Sequence, residues 1–401
     1  MQKKDISNRL GLARRGGDMN ARGSGSDIDV HQNARDLAKE VAERAEEIES
    51  NRRLPADLSR QFAAAGFYRM CVPEAYGGLE LPPAETMEAI EILARADGAS
   101  GWCVFIGSTS GAVLSMLPED AAREVFATPE TLVSGVFAPL GTANAMEGGF
   151  QVDGRWQWGS GTQNADWVYG GCKVIRDGEM EFLHNGVPRS RLMLVPASAV
   201  EFLDTWYVSG LEGTGSTDFL IRDVFVPESH AAFFGVDPPL ERPLYIFPQF
   251  GLLGGGIAAV ALGLARAAID EVNAFAGGKT PTGSARALAL RASAQIDVSR
   301  AEATLRSARA FFYEAIDDAW QSAVTRGVIE IAHRRDIRLA TTHATRAAAD
   351  AVDLMYNLAG GTALYRSSPL QRIFRDVHAV TQHMMVSPAS LELTGRLLFG
   401  L

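Results

Sequence analysis

Residues 250–265 read FGLLGGGIAAVALGLA, from Phe250 to Ala265, with no charged side chain. A run this apolar belongs either in lipid or in the middle of a protein. A membrane span needs about 18–20 strongly apolar residues. This run is shorter, contains Gly251, Gly254, Gly255, Gly256 and Gly263, and is followed by Arg266. It therefore reads as a helix buried on all sides. Beyond it, Ala285–Ala319, Val328–Ala359 and Pro388–Leu398 are built mostly from Ala, Leu, Arg and Glu, strong helix formers. Together with Gly251–Phe275 they predict an up-down four-helix bundle over residues 239–401. A glycine-containing helix this apolar is expected to bury itself against a partner subunit, which predicts a homotetramer or homodimer.

Upstream, residues 131–238 change character. Val168–Val174, Arg191–Val195 and Phe219–Val226 have strand composition, and Pro227 ends the last of them. Asp153-Gly154 and Asp177-Gly178 read as hairpin turns in this central β domain. Residues 30–130 return to helical spacing. Leu37, Val41, Ala45 and Ile48 form one stripe, and Leu58, Phe62 and Ala65 another that Gly66 closes. Further helices are predicted over Ala84–Ala96 and Gly101–Leu117. Residues 1–29, rich in Gly, Arg and Asp, lack the apolar core of a secretory signal and read as a disordered leader or tag. The fold class is α+β, with an N-terminal helical domain, a central β-barrel or sandwich, and the bundle.

Composition narrows the function. Of 401 residues 47% are hydrophobic and 21% charged, which fits a folded protein. A net charge of −10 argues against nucleic acid and against anionic lipid, both of which need a basic face. Three separated cysteines, Cys71, Cys103 and Cys172, make neither a disulfide framework nor a metal site, and imply reduced thiols in the cytoplasm. There is no P-loop, G-x-G-x-x-G, H-E-x-x-H or G-x-S-x-G motif.

Five short stretches carry a resemblance. They are Gly66 to Gly78 with Val72-Pro73-Glu74 and Tyr76-Gly77-Gly78; Gly154-Arg-Trp156-Gln-Trp158-Gly-Ser160-Gly161; Gly213-Thr-Gly215-Ser216-Thr-Asp218 with Arg222-Asp223 beyond; Gly360-Gly361-Thr-Ala-Leu-Tyr365; and Pro369-Leu-Gln-Arg372-Ile-Phe-Arg375-Asp376. In this order, over about residues 31–400, they resemble the acyl-CoA dehydrogenase family. In its common arrangement the family's catalytic Glu follows the R-D pair by eight positions. Here that place holds Met384, which cannot accept a proton, and the alternative window Gln249 to Gly254 has no acid.

The chain is instead similar to the two-component, group D flavin-dependent monooxygenases of the same fold, such as the oxygenase component that hydroxylates p-hydroxyphenylacetate and its indole-oxidising relatives. That resemblance implies FADH2 (with FMN an alternative) supplied by diffusion from a separate NAD(P)H-flavin reductase. It also implies O2, a C4a-hydroperoxide, and hydroxylation of an aromatic or heteroaromatic substrate, an indole-type compound among the candidates. An acyl-CoA dehydrogenase or oxidase with a relocated base, an N-hydroxylating monooxygenase of the same fold, and a non-catalytic flavoprotein are the competing readings.

The resemblance also implies a site. Ser160 would accept the flavin N5–H, with Gly161 and Thr162 beside it. Trp156, Trp158 and Ser160 would share one strand face, one tryptophan screening the ring and the other filling the β core. His383 would either deprotonate the substrate as a base or stabilise the peroxide as a proton donor. His378, five residues earlier, would lie about 140° away on the same helix. Gly360 and Gly361, with Arg286 or Arg291 on a long helix, would meet the pyrophosphate. Trp102, Phe105, Tyr245, Phe247 and Phe250 would line the substrate pocket with His378 at its edge. Some family members carry a second histidine shortly after the Trp102 position. This chain has Gly107-Ser108-Thr109-Ser110 there, so either the substrate is oriented differently from those members or these hydroxyls replace the histidine.

Overall fold

The computed structural model describes residues 28–233 and 240–401, so most of the expected leader and the boundary at 238 lie outside the described residues. The N-terminal layer holds α1 (Val30–Glu43), α2 (Ala45–Asn51), α3 (Ala56–Ala64), α4 (Pro83–Ala96), α5 (Gly98–Ser110) and α6 (Glu119–Val125). The sheet follows, with β1 (Val133–Met146), β2 (Gly149–Trp156), β3 (Trp167–Arg176), β4 (Glu179–Met180), β5 (Ser190–Pro196), β6 (Glu201–Phe202), β7 (Phe219–Pro227) and β8 (Ala231–Ala232). Then come the short α7 (Pro243–Ile246), α8 (Gln249–Ala276), α9 (Ala292–Arg326), α10 (Ile331–Ala359), α11 (Pro369–Val380) and α12 (Pro388–Leu398).

The strand order is β6-β7-β2-β1-β3-β5-β8, with β4 paired to β3. Among the described residues only the β1–β3 pairing is parallel, and it is bulged around Pro139. Trp156 is the hub of this sheet. It is fully buried, stacks on Phe219 at 5.3 Å, and donates from Nε1 to the Gly171 carbonyl at 2.8 Å. A Cβ on Gly154 would meet its ring at 2.5 Å. Asp153-Gly154 is therefore not the turn expected from its sequence. Gly154 lies inside β2 and makes room for Trp156, while the β1–β2 turn falls at Glu147-Gly148, where Gly148 has φ +81°. Asp177-Gly178 does turn β3 into β4, with both residues at positive φ.

α8 is long and apolar enough to cross a membrane by length and composition, but its most apolar window is 83% buried within this chain. The glycines explain how. A Cβ on Gly256 would lie 2.0 Å from Phe105 of α5, and one on Gly263 2.5 Å from the Glu91 carbonyl of α4. Their absence lets α4 and α5 pack onto α8 at backbone distance, and α10 closes another side. The helix is thus buried by its own chain. The expectation that it would be covered by a partner subunit is corrected, because α4 and α5 already occupy that face. The helix expected from Ala285 starts at Ala292 and runs on to Arg326; residues 277–291 form a loop stopped by Pro281 and Gly283.

Candidate active site

The last turn of β2 sets up the site. After Trp156 the chain leaves the sheet because Trp158 takes φ +64° and Gly161 φ +69°. The three residues expected to share a strand face are therefore split. Trp156 points into the sheet core, Trp158 is 67% exposed, and Ser160 turns inward and is buried. The loop is tied by Gly159 N–H to the Thr217 carbonyl at 3.0 Å, Gly161 N–H to the Thr214 carbonyl at 3.1 Å, and Ser134 Oγ–H to the Ser160 carbonyl at 2.7 Å. Thr162 is fully buried and spends its hydroxyl on the Gly159 carbonyl. It closes the loop from inside and leaves no free donor.

Ser160 meets α5 here. Trp102 Nε1–H donates to Ser160 Oγ at 3.0 Å, and Ser160 Oγ lies 2.6 Å from Ser216 Oγ. His383 also lies against Trp102, with ring centres 6.0 Å apart, and Phe105 packs edge-on to the indole at 5.2 Å. Ser160, Trp102, Phe105 and His383 thus converge from three separate parts of the chain: α5, the loop after β2 and the turn after α11.

His383 is not on the helix the sequence suggested. α11 stops at Val380, and His383 is extended (φ −67°, ψ 134°), capping the short turn Met384–Val386 with Nδ1 accepting from Met385 N–H at 3.2 Å. The 140° separation from His378 on one helix therefore does not apply. His378 stays on α11, bonds Asp353 at 2.8 Å and packs on Phe374, in the α10–α11 seam. Burial pushes the His383 imidazole down to about 4. It is neutral at pH 7, and with Nδ1 used as an acceptor the remaining proton sits on Nε2. The ring therefore presents a neutral Nε2–H on the side away from Met385. Arg346 braces this loop at both ends, donating to the carbonyls of Thr381 and Val386 at 3.1 and 3.4 Å.

The hydroxyls expected to replace a second histidine are engaged elsewhere. Ser108 and Thr109 bond back to the Phe105 carbonyl at 3.0 and 2.9 Å, and Ser110 pairs with Tyr169. Tyr245 lies at the Cys71 carbonyl, 3.4 Å away, and Phe247 is core at the foot of α8. Phe250 is half exposed. Arg286 is exposed in the loop before α9, and Arg291 only caps that helix; neither projects from a long helix as expected, because α9 begins after them. Gly360 does need to be glycine, at φ +56° with ψ −142°. The cation beside that turn is Lys279, which bonds the Ala359 carbonyl and Thr362 Oγ1. All three cysteines are buried and free, with thiols pushed up by burial, to about 12 for Cys71.

Comparison with known proteins agrees with this geometry. Residues 27–127 match the acyl-CoA dehydrogenase N-terminal domain and residues 255–388 the acyl-CoA dehydrogenase C-terminal domain. An indole-3-acetate monooxygenase from Pseudomonas putida is 37% identical over 355 residues, 88% of this chain and 89% of its own length. This chain belongs to the flavin-dependent monooxygenase branch of the acyl-CoA dehydrogenase family. Among solved structures, the 3-HSA hydroxylase from Rhodococcus sp. RHA1 superposes with a TM-score of 0.87 at 29% identity, covering 94% of this chain and 98% of that one. XiaF from Streptomyces sp., in complex with FADH2 and glycerol, gives 0.84 at 25% identity over 93% and 95%.

As an oxygenase component of that branch, the chain has a site that fits a reduced flavin. Gly161 leaves open space where a Cβ would stand, Trp158 is exposed beside it, and Ser160 Oγ keeps one lone pair uncommitted. Sequence reasoning missed Ser216, Thr214 and Lys279. The first two lay inside the quoted Gly213–Asp218 stretch, but nothing in the sequence said which hydroxyl would reach Ser160. Lys279 stands 81 positions from Gly360 in a loop without a pattern.

Proposed function

We propose that this chain takes FADH2 by diffusion from a separate NAD(P)H-flavin reductase and, with O2, places one oxygen atom on an indole-type substrate, indole-3-acetate being the first to test. The observation that carries the reading is the convergence of Ser160 and a neutral His383 on Trp102, with Met384, 76% exposed, where a dehydrogenase would need its acid. The similarity to an indole-3-acetate monooxygenase along most of both chains supports the substrate class. Reduced flavin, when bound, supplies the electrons that activate O2.

The chain's own residues do the rest. Ser160 Oγ accepts a hydrogen bond from the flavin's N5–H. Gly161 lets the backbone come close to the ring. Trp102 and Phe105 give an aromatic wall for a flat substrate, and His383 offers its Nε2–H to an acceptor atom in the pocket. FAD is favoured over FMN because the Gly360-Gly361 turn is present with Lys279 beside it to meet a phosphate.

The working unit in this proposal is a cytoplasmic homotetramer or homodimer. Leu391, Leu393, Leu398 and Phe399 expose apolar surface on and just after α12. The Gly360 turn is hydrogen-bonded to Lys279 and not to the Ser160 loop, which suits a cofactor shared between subunits.

The test is product analysis after adding chemically reduced FAD to aerated enzyme with indole-3-acetate, indole or an acyl-CoA. Oxygenated product from an indole substrate is expected. Bleaching of enzyme-bound oxidised FAD by an acyl-CoA, with no indole product, would overturn the proposal.

A further inference from the structure

The hydroxyl of Ser160 does not stand alone. It is the end of a chain of hydrogen bonds, and the direction of every bond in that chain can be fixed by counting protons. Thr214 Oγ1 lies 2.7 Å from the Leu211 carbonyl, which can only accept, so the single Thr214 proton is spent there. Thr214 Oγ1 also lies 2.6 Å from Ser216 Oγ. Thr214 must therefore accept, and the Ser216 proton is spent on it. Ser216 Oγ lies 2.6 Å from Ser160 Oγ, so by the same count Ser160 donates to Ser216. Trp102 Nε1–H, a pure donor, takes one Ser160 lone pair at 3.0 Å. Ser160 is left with no proton to give and one lone pair to fill.

From this polarity we infer that Ser216 and Thr214 are positioning residues that make the site select reduced over oxidised flavin. N5 of a reduced flavin carries a hydrogen and fits an acceptor. N5 of an oxidised flavin carries a lone pair and would face another lone pair at Ser160. A free serine hydroxyl would rotate and serve both states. The relay removes that freedom. Its far end is held too: Leu211 adopts φ +53°, and its N–H donates to Asp376 Oδ1 at 2.6 Å, so α11 fixes the carbonyl that starts the chain. The consequence is functional. An oxygenase that receives its flavin by diffusion has to take up the reduced form and release the oxidised one after each turnover, and the relay separates the two at a single atom. This inference rests on the reading of Ser160 as the partner of N5.

The test is binding, not turnover. Dissociation constants of FAD and of anaerobically reduced FAD are measured for the wild type and for Ser216→Ala, Ser216→Thr, Thr214→Val and Ser160→Ala. Ser216→Ala frees the Ser160 proton. Affinity for oxidised FAD is expected to rise about tenfold, the scale of one net hydrogen bond, with reduced FAD changed by less than about threefold. Thr214→Val should shift the preference the same way, and Ser216→Thr, which keeps the hydroxyl, should restore the wild-type ratio. A merely structural role would weaken both redox states together. An unchanged ratio in both Ser216→Ala and Thr214→Val, or parallel loss of both affinities, would overturn the relay. In that case, loss of reduced-flavin affinity in Ser160→Ala would leave the Ser160 reading standing. No effect of Ser160→Ala on reduced flavin would remove both.

Discussion

His383 shows how much chemistry a single residue's surroundings decide. Its motif position allowed either a base or a donor, and the sequence could not choose. The fold buries the ring beside Trp102 and points the Met385 N–H at Nδ1, which supports the donor role proposed for it. With its pKa lowered to about 4, the folded ring is neutral above that pH, whereas an unfolded one titrates near 6.5. The sign follows. The stability contributed by the neutral ring is complete above about pH 6.5 and is lost as pH falls toward 4. Catalysis should accordingly show no His383 titration between pH 6 and 8. His383→Ala should lower product formed per reduced flavin about tenfold, the scale of one hydrogen bond, with flavin affinity unchanged. Product yield against pH in the two proteins checks this; an inflection near pH 6.5 that disappears in the variant would mean the ring works as a base. That Ser160 and His383 would be candidates was legible because motifs carried them, and the structure brings both to Trp102. The roles of Trp156 and Trp158 were not, because alternation along a strand assumes the strand continues, and a positive φ at Trp158 ends it.

At the scale of elements, α11 links the bundle to the flavin-facing loops. Its Asp376 is fully buried, accepts from Leu211 N–H, and lies near the buried Asp97. Burial first, then the Asp97 charge, push the Asp376 carboxyl up to about 7. A carboxyl raised on folding contributes stability that is fully present below its ordinary value near 4 and is lost as pH rises through 7. Across that window the slope approaches about 1.4 kcal/mol per pH unit for one proton. Asp376→Asn keeps an acceptor for Leu211 and offers a donor toward Asp97, so it should flatten that slope. Denaturant unfolding at several pH values between 4 and 8 checks it; an unchanged slope would place the charge elsewhere. Helix existence was largely legible from spacing, as for α4, α8 and α10. Element ends were less so. Gly154 looked like a turn residue, since nothing local reveals that Trp156 needs its space. α11 was read through to His383, since nothing in residues 377–383 is a helix breaker.

For the whole molecule, the order of helices, sheet and bundle could be read from pattern, and so could the burial of α8. What covers α8 could not. The sequence suggested another subunit, and the chain covers it with α4 and α5, because glycines at 256 and 263 admit those helices. The same packing sets the active site, since α5 carries Trp102 against Ser160 and, one turn on, Phe105 against Gly256 of α8, with the two rings in contact. The central claim is that this assembly spends O2 on a substrate and not on acyl-CoA chemistry. Mass spectrometry of the product formed from reduced FAD, indole-3-acetate and 18O2 tests it most directly. One 18O atom per product molecule is the result predicted. Unlabelled product, or recovery of all the consumed 18O2 as hydrogen peroxide, would contradict it.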